Sequence, residues 1–224
     1  MKPSICASPS LLYLVLSILL SPIESQQDCQ YRCPDSSLVP AGEKTPLVPL
    51  QAPRLPYSNG CSVPSFLQLP DFDFSVCCDG HDACYMTCGV PKEHCEKDFQ
   101  VCMSALCGDK YDGEQKTECE QTANMLVMGV RMFGCPAFVA SQESACECVS
   151  KEEVLGKTRD ALTRFYSRFN PDKTQEEIDV FVEKNKGKKT PGMWRTLFKK
   201  YPQSITIISR DGEKQTESGL GEEL

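Results

Sequence analysis

Several common features are scarce in this 224-residue sequence. It has only two histidines, His81 and His94, and no second cluster of cysteine and histidine that would suggest a zinc site. Beyond residue 25, no stretch approaches the roughly 20 apolar residues that a transmembrane helix needs. Positive charge is also in deficit, with 24 Lys and Arg against 31 Asp and Glu. The net charge of -7 gives no reason to expect nucleic-acid binding.

Residues 1–25 have the layout of a cleaved secretory signal. Lys2 gives a basic start, an apolar core runs from Leu11 to Leu20, and small residues such as Ser25 follow. The apolar core is too short to span a bilayer. The pattern predicts a secreted protein that folds in an oxidising compartment, where disulfides form.

Cysteine is abundant in one part of the chain and missing from another. Of the 15 cysteines, Cys6 lies in the predicted signal, and the other 14 all lie before residue 150. An even number in a secreted chain predicts up to seven disulfides in a domain of about 120 residues, followed by a cysteine-free tail. The alternative is a zinc site formed by Cys77, Cys78, His81 and Cys84, and the even count argues against it.

Residues 26–56 and 57–150 differ in their patterns. The first stretch holds six prolines between positions 34 and 56 and little apolar periodicity, so we predict an extended, mobile arm. In the second stretch, three helices are predicted over 75–88, 92–107 and 114–133, each followed by a glycine that suits a helix end. Long helices cross-linked by disulfides predict a mainly α fold with a compact core.

The tail at residues 151–203 has a different character. Residues 26–150 carry 8 Lys and Arg against 17 Asp and Glu, whereas residues 151–200 carry 13 against 8. This change of sign marks a boundary. Three short amphipathic helices are predicted, the second of which starts at a capping box formed by Thr174 and Glu177. They predict a three-helix C-terminal module.

The last segment, residues 204–224, is polar and is predicted to be disordered. It ends in Glu222-Glu223-Leu224, whose last two residues match those of the Lys-Asp-Glu-Leu retrieval signal. Retention in the endoplasmic reticulum is therefore an alternative to export from the cell.

The run from Cys77 to Tyr85 carries the candidate chemistry. On a helix, His81 lies on a stripe of cysteines, while Asp82 lies on the adjoining stripe. The imidazole of His81 can act as a general base, and the carboxylate of Asp82 can bind a hard cation such as calcium. The backbone carbonyls of the irregular loop after Cys61 are the candidates for further ligands.

A general-base histidine needs a second carboxylate that fixes its tautomer. The sequence candidate is Glu120, which directly follows Cys119 on the third predicted helix. A disulfide between Cys84 and Cys119 would bring Glu120 to His81.

The motif Cys-Cys-x-x-His-Asp-x-Cys-Tyr at residues 77–85 resembles the active-site helix of secreted, calcium-dependent phospholipases A2. The stretch Asn59-Gly60-Cys61-Ser62, together with Cys119-Glu120, makes it most similar to the divergent group XII branch. The resemblance covers about residues 57–148, the scale of one small domain. It implies a disulfide-cross-linked, phospholipase A2-like helical core.

The resemblance also implies calcium-dependent hydrolysis of the sn-2 ester of glycerophospholipids at a membrane or micelle surface. His81 would take a proton from the attacking water, Glu120 would orient His81, and calcium would stabilise the oxyanion. The implied calcium ligands are the carboxylate of Asp82 and the main-chain carbonyls of Ser62, Pro64 and Phe66.

The loop at residues 62–66 departs from the glycine-rich calcium loop of typical members. Pro64 has no N–H group to donate to an oxyanion, which predicts slower turnover. Two other interpretations stay open. One is a weakly active or inactive phospholipase A2-like protein that binds lipid or a receptor, and the other is a disulfide-rich structural or toxin-like protein without calcium. The sequence leaves the oligomeric state open.

Overall fold

The computed structural model describes residues 29–33, 48–51, 54–62 and 69–208. The predicted signal, the predicted calcium ligands Pro64 and Phe66, and the C-terminal Glu222-Glu223-Leu224 lie outside these residues. The described part of the chain is mainly helical, as predicted. In chain order the elements are β1 (Val48–Gln51), β2 (Tyr57–Ser58), α1 (Ser75–Tyr85), α2 (Lys92–Lys110), α3 (Gly113–Phe133), α4 (Cys135–Ala145), β3 (Cys146–Val149), α5 (Val154–Phe169), α6 (Gln175–Lys184), α7 (Thr190–Lys200) and β4 (Thr206–Ile207).

Helix α1 begins at the predicted residue but ends at Tyr85 rather than Cys88. The N–H of Thr87 bonds to the carbonyl of Cys84, three residues back, instead of continuing the α-helical pattern. The hydroxyl of Thr87 donates a hydrogen bond of 2.9 Å to the carbonyl of Ala83. A side chain thus satisfies one of the last carbonyls of the helix and ends it early.

Helices α2 and α3 form a hairpin. Only Tyr111 and Asp112 lie between them, so the two helices run back along each other, and the Cys107–Cys119 disulfide closes the turn. Phe99 and Met103 of α2 are buried in the core that they share with α1. Within the described part of the chain, no single helix is long and apolar enough to cross a membrane, although α3 and α4 together, bent by 71°, meet that criterion of length and composition.

The 14 cysteines outside the predicted signal form seven disulfides, as the even count predicts. They join Cys29 to Cys135, Cys33 to Cys148, Cys61 to Cys78, Cys77 to Cys102, Cys84 to Cys95, Cys88 to Cys146 and Cys107 to Cys119. A cysteine in a disulfide has no thiolate to offer to zinc, which removes the alternative of a zinc site. The Cys84–Cys119 disulfide considered above is not formed.

A short antiparallel sheet ties part of the predicted arm to the core. Strand β1 pairs with β3, with Val48 opposite Val149. Gln51 is buried, and its amide donates to the carbonyl of Met86 at 3.2 Å and accepts from the N–H of Cys88 at 3.1 Å. The prediction of a mobile arm is therefore wrong for residues 48–51, because this strand finds its partner far away in the sequence.

The tail forms the three predicted helices, α5, α6 and α7. Strand β4 lies within residues 204–224, so the prediction of disorder is wrong for residues 206–207, which pair with β2. We use the term C-terminal module from here on for residues 154–208, which contain the three helices and β4. Its core is built from aliphatic and aromatic side chains, and the buried ring of Phe165 meets the ring of Trp194 edge-on at 5.9 Å. The predicted capping box is present at the start of α6, where Thr174 accepts from the N–H of Glu177 and Glu177 accepts from the N–H of Thr174.

Candidate active site

His81 lies on the buried face of α1, where 7% of its surface is exposed. Its ring packs against the rings of Tyr85 and Phe99, with centroid distances of 4.2 and 4.5 Å. The cysteines one turn before and one turn after His81 are both bridged to α2. Two covalent links therefore hold the helix that carries the imidazole against its neighbour.

The polar partner of His81 is Glu96 on α2. The Nε2 atom of His81 lies 3.6 Å from Oε1 of Glu96, slightly longer than a hydrogen bond. The same oxygen accepts a hydrogen bond of 2.5 Å from the Tyr85 hydroxyl and lies 3.0 Å from Nζ of Lys92. All four side chains are buried. We call these four residues the His81–Glu96 cluster.

The charges within this cluster are complementary. Burial raises the pKa of Glu96, but its contacts with His81, Tyr85 and Lys92 outweigh burial and lower that pKa below the ordinary value of 4.5. Burial, together with the hydrogen bond to Glu96, raises the pKa of the Tyr85 hydroxyl. Glu96 is therefore an ionised acceptor and Tyr85 a neutral donor. A carboxylate beside Nε2 of His81 favours a hydrogen on that nitrogen and leaves Nδ1 as the acceptor.

Gly134, between α3 and α4, leaves room for this cluster. A Cβ atom at this position would lie 2.6 Å from the Tyr85 hydroxyl and would also clash with the carbonyl oxygen of Val130. That carbonyl accepts a hydrogen bond of 2.9 Å from Nζ of Lys92. A side chain at position 134 would therefore disturb two members of the cluster, and glycine suits this close approach.

Glu120, the carboxylate predicted to orient His81, is exposed on α3. The prediction depended on a disulfide between Cys84 and the cysteine before Glu120, whereas Cys84 pairs with Cys95. Both Glu96 and Glu120 directly follow a cysteine. The cysteine that pairs with Cys84 is Cys95, and the glutamate that directly follows it is Glu96. The acid beside His81 is thus Glu96 and not Glu120.

Asp82 is partly buried and faces β2. Its Oδ2 atom accepts hydrogen bonds from the Ser58 hydroxyl at 2.8 Å and from the N–H of Asn59 at 3.3 Å. The Ser58 hydroxyl also lies 2.6 Å from Oδ1 of Asp79. A hydroxyl has a single hydrogen, so it can satisfy only one of the two carboxylates at a time. Burial raises the pKa of Asp82 even though the bond from Ser58 opposes that shift.

Comparison with known proteins gives the family of this chain. The model of the group XII secretory phospholipase A2 precursor family matches residues 14–155, which is more than half of the sequence. The chain belongs to this group XII family. The match extends beyond residues 57–148, over which the motifs indicate the resemblance.

The curated relatives of this group XII member match a similar stretch. It is 35% identical over 136 residues to group XIIA secretory phospholipase A2 of Homo sapiens, covering 56% of this chain and 66% of the relative. It is 30% identical over 137 residues to the group XIIB secretory phospholipase A2-like protein of Mus musculus, covering 56% and 66%. With conodipine-P3 of Conus purpurascens it shares 43% over 54 residues, covering 23% and 30%. The chain thus spans just under two thirds of the length of the first relatives, and no solved structure gives a significant match.

The residues around Asp82 fit a calcium ion in their chemistry and would supply part of its coordination. The carboxylates of Asp79 and Asp82 lie on either side of the single Ser58 hydroxyl, and carboxylate oxygens are the ligands that a hard cation such as calcium prefers. Calcium takes about six to eight oxygen ligands, so backbone carbonyls must supply most of the rest. Among the residues that the structure describes, no group of three His, Cys, Asp or Glu side chains could hold a metal by itself. Of the other predicted ligands, Ser62 is exposed, with its hydroxyl 3.0 Å from the side-chain oxygen of Asn59, and Pro64 and Phe66 lie outside the described residues.

A pocket of about 600 Å³ lies beside His81. This volume falls in the range of about 300–1,000 Å³ that is usual for small-molecule sites. Helices α1 and α2 line one side, with Val76 among the apolar residues there. The C-terminal module lines the other side and contributes Phe198 and Ile207. The family match ends at residue 155, so this second wall comes from residues beyond the match.

Proposed function

We propose that this protein is a secreted, calcium-dependent phospholipase A2 that hydrolyses the sn-2 ester of glycerophospholipids. The observation that carries the proposal is the His81–Glu96 cluster beside a largely apolar pocket, in a chain of the group XII family. A buried base with a carboxylate behind it and an apolar pocket in front of it suits the hydrolysis of a lipid ester.

In the proposed reaction, His81 is the general base. Because Glu96 favours a hydrogen on Nε2, Nδ1 takes a proton from a water, and the oxygen of that water attacks the carbonyl carbon of the ester. The proton then passes from His81 to the glycerol oxygen as the ester bond breaks, which releases a fatty acid and a lysophospholipid. Tyr85 and Lys92 keep Glu96 ionised, so the imidazolium that forms in this step faces a negative charge.

Asp82 has the role of a calcium ligand in this proposal. The carbonyls of Ser62, Pro64 and Phe66 would be the further ligands of a calcium ion there, which would supply positive charge for the developing oxyanion. The Ser58 hydroxyl and the Asn59 N–H hold the carboxylate of Asp82 toward β2.

The test is release of the sn-2 fatty acid from mixed micelles, with calcium and with a chelator. The chain offers a matched control, because His94 is the only other histidine and is exposed. We expect His81→Gln to lower the rate about 10²–10⁴-fold, as loss of a general base does, and His94→Gln to leave it unchanged. The proposal fails if the wild type releases no fatty acid at millimolar calcium. Release that is insensitive to His81→Gln or to the chelator would also sink it.

We infer an extracellular location from the predicted signal and the secretory family. Retention in the endoplasmic reticulum through Glu222-Glu223-Leu224 is the competing outcome. Expression in a eukaryotic cell of the full chain, and of the chain without these three residues, separates the two. Equal amounts of both in the medium support export, whereas secretion of the shortened chain alone supports retention.

A further inference from the structure

The C-terminal module meets the core beside the candidate active site. Strand β4 pairs in parallel with β2, and the N–H groups of Thr206 and Ile208 donate to the carbonyls of Pro56 and Ser58 at 2.9 and 2.8 Å. Ser58 is the residue whose hydroxyl bonds to Asp82. The last strand of the module therefore supports the segment that holds the predicted calcium ligand.

Helix α7 makes a second junction with the core. Nη1 of Arg195 and Nζ of Lys199 lie 3.3 and 2.6 Å from Oδ2 of Asp98 on α2. Near the end of α1, a Cβ atom at Gly89 would lie 3.2 Å from Cγ of Pro191, so the backbone after α1 and the start of α7 approach closely there. These contacts hold α7 against α1 and α2, the helices that line one side of the pocket.

Three large apolar side chains at the pocket are unusually exposed. Val76 on α1, Val101 on α2 and Ile207 on β4 have 62%, 61% and 46% of their surface exposed, and all three line the pocket. Exposed apolar side chains that gather round one concave site are typical of a surface that binds a ligand. Ile207 is the contribution of the module to this group.

We propose that the C-terminal module forms one wall of the substrate pocket, and that Ile207 contacts the acyl chain of a bound phospholipid. The identity of the ligand rests on the proposed function. The apolar side chains of both walls bury the acyl chain of the lipid. Arg195 and Lys199 also line the pocket and place two cationic groups there, in contact with Asp98, which can reach the phosphate. An apolar wall next to cationic side chains suits an amphiphile that carries a phosphate in its head group.

The test is binding of dodecylphosphocholine, a single-chain phospholipid analogue without a carboxylic ester. Binding is measured by titration calorimetry below the critical micelle concentration. Ile207→Gln changes the module wall, Val76→Gln changes the opposite wall, and Val180→Gln is the control. Val180 is 63% exposed on α6 and does not line the pocket. We expect a roughly tenfold loss of affinity for each wall variant, because each removes an apolar contact with the chain, and less than a twofold change for the control.

The outcomes separate this inference from the proposed function. Binding needs no turnover, so a wild type that binds the lipid but hydrolyses nothing would count against the phospholipase proposal alone. Loss of affinity in Val76→Gln but not in Ile207→Gln would mean that the lipid binds in the pocket without contacting Ile207, which would overturn the inference about the module. Tighter binding by Ile207→Gln would mean that the module blocks the pocket, and no binding by the wild type would overturn the inference.

Hydrolysis gives a second readout that a merely structural role would not move. With sn-2 chains of four and of ten carbons, we expect Ile207→Gln to lower kcat/KM more for the long chain than for the short one. An equal loss for both chains would point to a disturbed fold instead. The melting temperature of each variant provides the check on folding.

Discussion

The disulfide-linked core and the C-terminal module are stabilised in different ways. All seven disulfides lie in the core or join the segment at residues 29–33 to it, and the tail after residue 150 has no cysteine. The module relies on a buried set of aliphatic and aromatic side chains around Phe165 and Trp194. The core instead encloses the charged pair of Lys92 and Glu96 beside His81.

This difference shows what the covalent links make possible. Burying ionised groups costs free energy even when they are paired. The disulfides stabilise the core largely by restricting the unfolded chain, at about 2–4 kcal/mol each, and this offsets the cost of a buried polar cluster. In the module, apolar packing takes the place of covalent links, and within its described residues no charged side chain is buried. The buried His81–Glu96 cluster thus lies in the disulfide-linked core.

The largest effect should come from breaking the aromatic core of the module. Phe165 is fully buried and is in ring contact with Trp194 and Tyr201. We expect Phe165→Ala to lower the free energy of unfolding by about 4 kcal/mol, because it leaves a large cavity. The matched control is Phe133→Ala, since Phe133 is 74% exposed on α3. Urea denaturation measures both, and similar losses in the two variants would contradict a module held by packing.

The next effect concerns the buried charges of the core. We expect Glu96→Gln to cost about 3 kcal/mol at pH 7, because it leaves Lys92 buried without its partner. The pKa of Glu96 is lowered on folding, so its ionised form stabilises the fold above about pH 4.5, and this contribution is lost as the pH falls through the folded-state pKa. The gap in melting temperature between wild type and Glu96→Gln should therefore shrink below pH 4.5. The control is Glu120→Gln, which should have the wild-type melting temperature both at pH 7 and below pH 4.5. A difference in melting temperature between wild type and Glu96→Gln that does not change with pH would show that Glu96 and Lys92 are not an ionised pair.

A smaller effect is expected where the two regions meet. Gly89 has a φ of 73° and lies close to Pro191 of α7. We expect Gly89→Ala to destabilise the protein by about 1–2 kcal/mol, because a Cβ is disfavoured in the left-handed region. Gly156 lies within α5 with open space around it, so Gly156→Ala should stabilise by about 0.5–1 kcal/mol. Thermal unfolding should give opposite signs for the two changes, and equal signs would count against the left-handed conformation at Gly89.

The smallest effect should come from the ion pairs of the same junction. Asp98→Asn removes the partner of Arg195 and Lys199, which are both partly exposed. We expect a loss of about 1 kcal/mol or less that fades at high salt. The control is Asp179→Asn, which breaks a 2.7 Å ion pair to Arg159 within the module. A loss well above that of the control, and insensitive to salt, would mean that these ion pairs and not apolar packing hold the junction.

Helices and local signals could be predicted from the sequence. Apolar periodicity predicted every end of α1, α2 and α3 to within three residues. Glycine was a poorer guide, because α2 continues through Gly108, which was predicted to follow its end, to Lys110. The capping box of Thr174 and Glu177 was also predictable, because its partners lie within one turn. These features depend on neighbours in the chain, which a pattern can show.

Features that join distant residues could not be predicted. Three Cys-Glu pairs occur, with the acids Glu96, Glu120 and Glu147, and only the disulfide pairing decides which acid stands beside His81. Fourteen cysteines allow many pairings, and spacing alone does not choose among them. The module wall is a similar case, because Ile207 reaches the pocket through a two-residue strand that has no periodic pattern.

We propose that Glu96, and not Glu120, supports His81 in catalysis. The most direct measurement is kcat for sn-2 hydrolysis by Glu96→Gln and by Glu120→Gln on mixed micelles at pH 8 and saturating calcium. Loss of the acid that fixes the histidine tautomer should lower kcat about 10²-fold or more in Glu96→Gln, with little change in KM, while Glu120→Gln stays within twofold of the wild type. A wild-type kcat in Glu96→Gln, or a larger loss in Glu120→Gln, would contradict this role of Glu96.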